Sequence, residues 1–366
     1  MDSPSGGTLI DVIWGAEKYT FHAVRALTIS AHGGLEQVEA RDVVAPEVRN
    51  ATDVRVRVRA AALNHIDLFV VAGLPGVTIV PPWVLCADAC GHVDAVGAAV
   101  RGVKTGDLVV LNPGISDGTC TFCLQGEQPL CPKFKLLGEH LPGTAAEFVV
   151  VPEANVRAIP PSTDVVTAAA FPLATLTAWR MVRTRANVQA GERVLIWGIG
   201  GGVALAALQV CRQLGAEVWV ASRDDAKLAR ARDLGADHVL NSDRDDVPAA
   251  IRAATGKAGV DVVVDNVGQA TWERSLRSLG RRGRLVTCGA TSGAVVQTDV
   301  RRLFWNQWSL LGSTMGSDAE FDAVIAELRA GRLAPPVDST FSLDRGRDAF
   351  ERLRSGKQFG KVVLTL

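Results

Sequence analysis

Residues 194–205 read Val-Leu-Ile-Trp-Gly-Ile-Gly-Gly-Gly-Val-Ala-Leu: an apolar strand, a glycine turn, then a helix start. Glycines at such a junction let the backbone turn tightly and approach a pyrophosphate, which rests on the positive end of the helix. Gly198, Gly200, Gly201 and Gly202 are the residues of that turn, and Val203 stands where a third motif glycine often falls. About twenty residues further on, a binder of NAD presents an acid to the ribose 2′-hydroxyl. This chain has Ser222 and Arg223 there. A hydroxyl beside a planar, permanently charged guanidinium suits a 2′-phosphate, so NADPH is the expected cofactor. The alternative is that Arg223 is a solvated surface residue and Asp224 or Asp225 serves NAD. A second group, Cys120-x2-Cys123-x7-Cys131, has the close thiol spacing of a metal site.

The elements that must position these residues fall into two kinds. From about Phe21 to residue 160 the chain is written in short β-type runs broken by Gly and Pro, such as the alternating Val and Arg of residues 54–59. From residue 165 it becomes helical and then alternates. Strands are expected at 194–197, 217–221, 261–265 and 284–288, with helices at 202–214, 224–234 and 269–279 between them. That alternation implies a parallel sheet. Phe321, Val324, Ile325 and Leu328 recur at helical spacing, so residues 320–330 form an amphipathic helix. The run Gly360 to Leu366 is a closing strand that returns to the first domain. Residues 1–20, rich in Gly and Ser, read as a loosely held extension.

The 366 residues suffice for about two domains. Lys plus Arg and Asp plus Glu are both 39, so no net field draws the chain to nucleic acid or to an anionic membrane, and a small molecule is the expected partner. No apolar run is long enough for a membrane helix and the start carries no basic, then apolar, leader, which places the protein in the cytoplasm. Seven cysteines, three within twelve residues, fit reduced thiols or metal better than a disulfide framework. Cys86, Cys90 and Cys211 sit in apolar text as core residues.

Further motifs carry a resemblance: Leu63-Asn-His-Ile-Asp67, the glycines Gly91 and Gly97 followed by Gly106-Asp107, the cysteine lobe, residues 172–179, and Phe359-Gly-Lys-Val-Val363. With the nucleotide fold they resemble the zinc-type alcohol dehydrogenase and quinone reductase family, the medium-chain dehydrogenase/reductase superfamily. The resemblance implies an α/β chain with a GroES-like β domain over 21–175 and 316–366 and a Rossmann doubly wound parallel-sheet domain over 176–315. It implies that Thr177, Lys227, Asn266, Val267, Cys288, Gly289 and Ala290 join the cofactor site, with Cys288 a small apolar wall, and that His65 sits at the pyrophosphate. It places Asp117 where the structural zinc lobe has its first cysteine, giving a set of Asp117, Cys120, Cys123 and Cys131. Residues 301–312 are where the family's neighbouring subunits pair strands, so a homodimer, or a homotetramer built from dimers, is implied.

The family's catalytic zinc needs two cysteines and a histidine. By the resemblance those places fall at Asn64, Ala87 and near Leu173, with Asp88 where a glutamate accompanies the histidine. This set cannot chelate zinc, and His92 lies on the wrong side of Gly91 to help. Asn64 instead matches the zinc-free quinone and enoyl reductase branch. The chemistry implied is hydride transfer to an activated C=C bond or a quinone, with Asn64 donating to the developing oxyanion and Asp67 orienting the loop. Water is the proton source, since the one tyrosine, Tyr19, lies in the extension. Trp83, Trp179, Trp305 and Trp308 are candidates to line a cleft, two of them in contact with substrate or cofactor. Two rivals stand beside this reading: an alcohol or aldehyde dehydrogenase, and a catalytically silent NADPH-binding sensor or structural protein.

Overall fold

The structure is a computed structural model that describes residues 9–14 and 17–366, with side chains described from His22 onward. One expectation is corrected at once. Leu9–Trp14 pairs antiparallel with the start of the strand Glu17–Ile29, from Leu9 opposite His22 to Trp14 opposite Glu17. Leu-Ile-Asp-Val-Ile-Trp is rich in β-branched and aromatic residues, which favour a pleated strand over a loose extension. The rest of that expected extension, residues 1–8, 15 and 16, lies outside the described residues.

The described chain forms two compact units, one running to Leu173 and resuming over Val337–Leu366, the other Ala174–Pro336. In the first, a seven-stranded sheet is built around Asp53–Ala62. Along that strand Val54, Val56 and Val58 are buried while Arg57 and Arg59 are exposed, so the alternation seen in sequence is the two faces of a sheet. Its neighbours include Asp88–Val96, whose Gly91 passes so close to the partner strand that an added Cβ would sit 2.1 Å from the Arg57 carbonyl oxygen. Only glycine fits there. On the other side the late strand Lys361–Thr365 runs antiparallel, with Val363 opposite Ala62, and pairs in parallel with Val337–Ser342. This register brings Lys361 beside the turn that follows Ala62, where the Leu63 amide donates to the Val362 carbonyl.

The second unit holds six parallel strands. In spatial order they are His238–Asn241, Glu217–Ser222, Arg193–Trp197, Val260–Asp265, Leu279–Thr287 and Ser309–Gly312. Val194, Leu195, Ile196, Val218, Val220, Val262, Val263 and Val264 are all fully buried, as strands covered on both faces require. The strand His238–Asn241 and the helix Val247–Ala254 were not expected from sequence; the strand is four residues long and half-buried, too short for a period to register. The helix Asp318–Arg329 buries Phe321, Val324, Ile325 and Leu328, and Ser317 with Glu320 closes a reciprocal cap at its start. It belongs to the second unit, as does everything to Pro336, so the boundary expected at residue 316 lies some twenty residues too early.

Candidate active site

In the second unit the strand Arg193–Trp197 ends in the glycine turn. Gly198 and Gly200 have φ of 70° and 111°, left-handed values that favour glycine. Gly201 is the cap of the helix Gly202–Gln213, whose Leu205 amide reaches the Gly201 carbonyl at 3.0 Å, and Val203 lies in the first turn. A Cβ on Gly198 would sit 3.0 Å from Asn266 Oδ1 and 3.2 Å from a Val267 methyl, and one on Gly200 would sit 2.8 Å from the Lys227 stem. The turn, Asn266, Val267 and Lys227 are therefore brought together.

Asp265 holds the loop that carries Asn266 and Val267. Fully buried, it accepts from the Val267 and Gly268 amides at 2.9 and 3.0 Å and from the Thr271 and Ser275 hydroxyls. Ser292, just beyond Cys288, Gly289 and Ala290, ties the two loops by donating its amide and hydroxyl to the Val267 carbonyl. Between them opens a cavity of about 370 Å³ lined by Gly268, Trp272, Cys288, Gly289 and Ala290, among others. Burial, then the Asp265 charge, pushes the Cys288 thiol up to about 12, which keeps it protonated. Thr177 is buried with its hydroxyl 3.9 Å from Met315 Sδ.

At the end of Glu217–Ser222 both acids that could have served a ribose are engaged. Asp224 caps the helix Asp225–Asp233 by accepting from the Ala226 and Lys227 amides, and Asp225 takes two guanidinium nitrogens of Arg244 at 2.6 and 2.8 Å together with Asn241. The Arg244 and Asn241 hydrogen bonds hold the Asp225 carboxyl below the usual range. Ser222 Oγ accepts from the Asp224 amide, and Arg223 is exposed.

In the first unit, Asn64 and Asp67 flank the start of the helix His65–Ala72, with His65 exposed at its first position. Asp67 accepts from the Asn64 amide at 2.6 Å and also from the Cys86 amide. Burial pushes its pKa up to about 7, against the pull of those two amides and of Lys361. Asn64 Nδ2 donates to Asp88 Oδ2 at 2.9 Å, the Leu173 amide donates to Asp88 Oδ1 at 2.8 Å, and Thr144 Oγ1 donates to the Asp88 carbonyl at 2.8 Å. Lys361 Nζ completes the cluster by donating to Asn64 Oδ1 and, at 3.1 Å, to Asp88 Oδ2. The sequence reading had Lys361 only inside a closing motif; its signal was a lysine heading a strand that is otherwise apolar.

Of the places expected for the catalytic zinc ligands and their companion acid, Asn64, Asp88 and Leu173 are thus brought together with Lys361 beside them, while Ala87 offers only a methyl group; the cluster presents an amide, a carboxylate, a backbone N–H and an ammonium. An ammonium and an N–H repel a cation, so these residues do not fit zinc. The lobe of Asp117, Cys120, Cys123 and Cys131 does. Its four ligand atoms lie within 4.8 Å of one another, the size of a tetrahedral zinc shell. Asp117 Oδ1 is fixed by the Thr119 and Cys120 amides, both at 2.9 Å, and those bonds hold its pKa well below the usual range. Among the described residues this is the one cluster of three or more His, Cys, Asp or Glu with metal-binding geometry. All seven cysteines are unpaired thiols, and Cys86, Cys90 and Cys211 are fully buried, as the sequence implied.

Of the four tryptophans marked for a cleft, Trp83 and Trp308 are buried with their indole N–H groups on the Gly138 and Gly280 carbonyls, which accounts for both as packing. Trp179 lies under the Arg183 guanidinium, and Trp305 is exposed. Trp272, which the sequence reading passed over, lines the cavity of the second unit.

Two family models match the chain: "Alcohol dehydrogenase GroES-like domain" over residues 50–161 and "Zinc-binding dehydrogenase" over 202–330. Among curated proteins, an NAD-dependent alcohol dehydrogenase of Sulfolobus acidocaldarius is 31% identical, covering 90% of this chain and 96% of its own. An acryloyl-coenzyme A reductase of Metallosphaera sedula is 29% identical over 93% of this chain and all of its own. Among solved structures, that of an NAD-dependent alcohol dehydrogenase is 41% identical with a TM-score of 0.90, covering 93% of this chain and 99% of that one.

Proposed function

The chain belongs to the medium-chain dehydrogenase/reductase family, a GroES-like domain joined to a Rossmann-type parallel sheet, and on that premise we propose that it is an NADPH-dependent reductase of activated C=C bonds or quinones. The observation that carries the reading is the cluster of Asn64, Asp88, Leu173 and Lys361, which offers hydrogen-bond donors where a zinc enzyme would offer ligands. NADPH, when bound, supplies the hydride. Ser222 and Arg223 are suited to its 2′-phosphate, because Asp224 and Asp225 are committed to a helix cap and to Arg244. Gly198 to Val203, Lys227, Asn266, Val267 and Cys288 to Ala290 form the cradle. We assign His65 to the pyrophosphate and Thr177 to the nicotinamide ribose on the family resemblance.

Where hydride reached the β-carbon of a conjugated substrate, the π electrons would collect on its oxygen. The remaining N–H of Asn64 meets that oxygen, and a proton from water then closes the α-carbon. Asp67 sets the turn that presents Asn64. The relatives named alcohol dehydrogenases favour a second reading, oxidation of an alcohol with NAD. One panel decides: NADPH with enones, enals, quinones and enoyl thioesters, against NAD or NADP with alcohols, for the natural chain and for Arg223→Ala. Turnover of the first panel, with KM for NADPH raised roughly 10- to 100-fold in the variant and that for NADH unchanged, is the expected result. Alcohol oxidation that a chelator abolishes would overturn it. Structural zinc in the Asp117 lobe, a homodimer and a cytoplasmic setting complete the proposal; among the described residues no helix is long and apolar enough to cross a membrane.

A further inference from the structure

Asn64 carries a side chain whose two ends are alike in shape, so its amide can in principle be turned either way round. Its neighbours remove the choice. A carboxylate only accepts and an ammonium only donates, so with Asp88 on one side and Lys361 on the other, one orientation alone satisfies all three groups. That orientation puts Oδ1 on Lys361 and Nδ2 on Asp88. Asp88 cannot swing away, because its second oxygen takes the Leu173 amide and its backbone carbonyl takes Thr144. Lys361 cannot either, since it is 3% exposed at the head of a paired strand.

The count of donors is then informative. Nδ2 has two N–H bonds and, among the described residues, spends one on Asp88. The ammonium has three and spends two, on Asn64 and Asp88. Asn64, at 8% exposure, is the most accessible of the three residues, ahead of Lys361 and the fully buried Asp88. Donation by Lys361 to the amide oxygen also draws electron density from the nitrogen, so the free N–H is a stronger donor than that of an ordinary asparagine.

We infer that Lys361 is a positioning residue that locks and polarises the Asn64 amide as an oxyanion donor, so that a buried ammonium, acting through an amide, takes over the task a metal cation performs elsewhere. Resting on the proposed reductase reading, it can nevertheless fail separately, because an anion-stabilising donor can be read without turnover. The probe is 4-nitrophenol, whose phenolate resembles the oxygen of a reduced quinone and absorbs differently from the phenol. It is titrated against the whole protein saturated with NADP.

Lys361→Met is paired with the double variant Lys361→Met, Asp88→Asn, which leaves no unpaired buried charge and so keeps the fold testable; thermal unfolding checks it. The expected result is that the natural protein binds phenolate at least about tenfold more tightly than phenol and that the double variant loses this preference. On an enone or quinone substrate, kcat should fall roughly 30-fold or more while KM for NADPH stays within about threefold. A natural protein that shows no phenolate preference, or a folded double variant that keeps it within about twofold, overturns the inference. Phenolate preference lost in the variant, with no reduction of any enone or quinone by the natural protein, upholds Lys361 and sinks the reductase reading alone.

Discussion

Asp67 lies buried with backbone amides for partners rather than a cation in hydrogen-bond contact, and its pKa of about 7 has a consequence for stability. The unfolded chain releases that proton near 3.8, the folded chain near 7. Between the two the folded state holds a proton that the unfolded state has lost, so stability falls as pH rises through this window and is level above it. Asp67→Asn, which keeps an acceptor for the Asn64 amide, removes this contribution. The fall in Tm from pH 5 to pH 8 should be smaller in the variant by on the order of several degrees, since one pKa unit is about 1.4 kcal/mol. Equal slopes in the two proteins would refute the burial account. The turn shared by Asn64 and Asp67 and the strand end that carries Ser222 and Arg223 were legible in sequence, because each lies inside a short motif whose spacing is fixed by one turn. Lys361 was not: its partner Asn64 is 297 residues away, and only the register of two strands joins them.

Among the elements, the cysteine lobe is the one least able to hold itself. Between Asp117 and Cys131 stand only a four-residue helix and a three-residue turn, and Phe122, Leu124 and Leu130 are 41, 77 and 50% exposed. With so little apolar burial, coordination rather than packing must fix the loop. Natural protein should carry one zinc per chain by metal analysis, and Asp117→Cys should slow its loss to a chromogenic chelator by about tenfold, because a fourth thiolate replaces a harder ligand. Cys123→Ser should release the metal and open the lobe to proteolysis. A metal-free natural protein with an equally protected lobe would contradict this. The lobe and the long, strongly patterned elements could be read from sequence; the short strand His238–Asn241 could not, because its order comes from neighbours rather than from its own period, and Leu9–Trp14 was passed over because the Gly and Ser around it outweighed its β-branched residues.

For the molecule as a whole, the edge of the second unit is the exposed question. Among the described residues Ser309–Gly312 pairs on one side only, with Leu279–Thr287, and nearby Val300, Phe304 and Trp305 are 64, 63 and 74% exposed. An open edge strand beside such an apolar surface invites pairing with a second copy. Trp305→Glu should convert a dimer to monomer in sedimentation at micromolar concentration while leaving the thermal transition of each subunit in place; a natural protein already monomeric there would remove the proposal.

The position of Lys361 beside Asn64 also has a temporal side. At about 5–20 residues per second, a ribosome needs roughly 15 to 60 s to travel from one to the other. By the end of that interval the nascent first unit has long held Asp88 without the cation that neutralises it, whereas every strand of the second unit, the last ending at Gly312, has been synthesised. The cell therefore has a finished sheet tethered to an unfinished one.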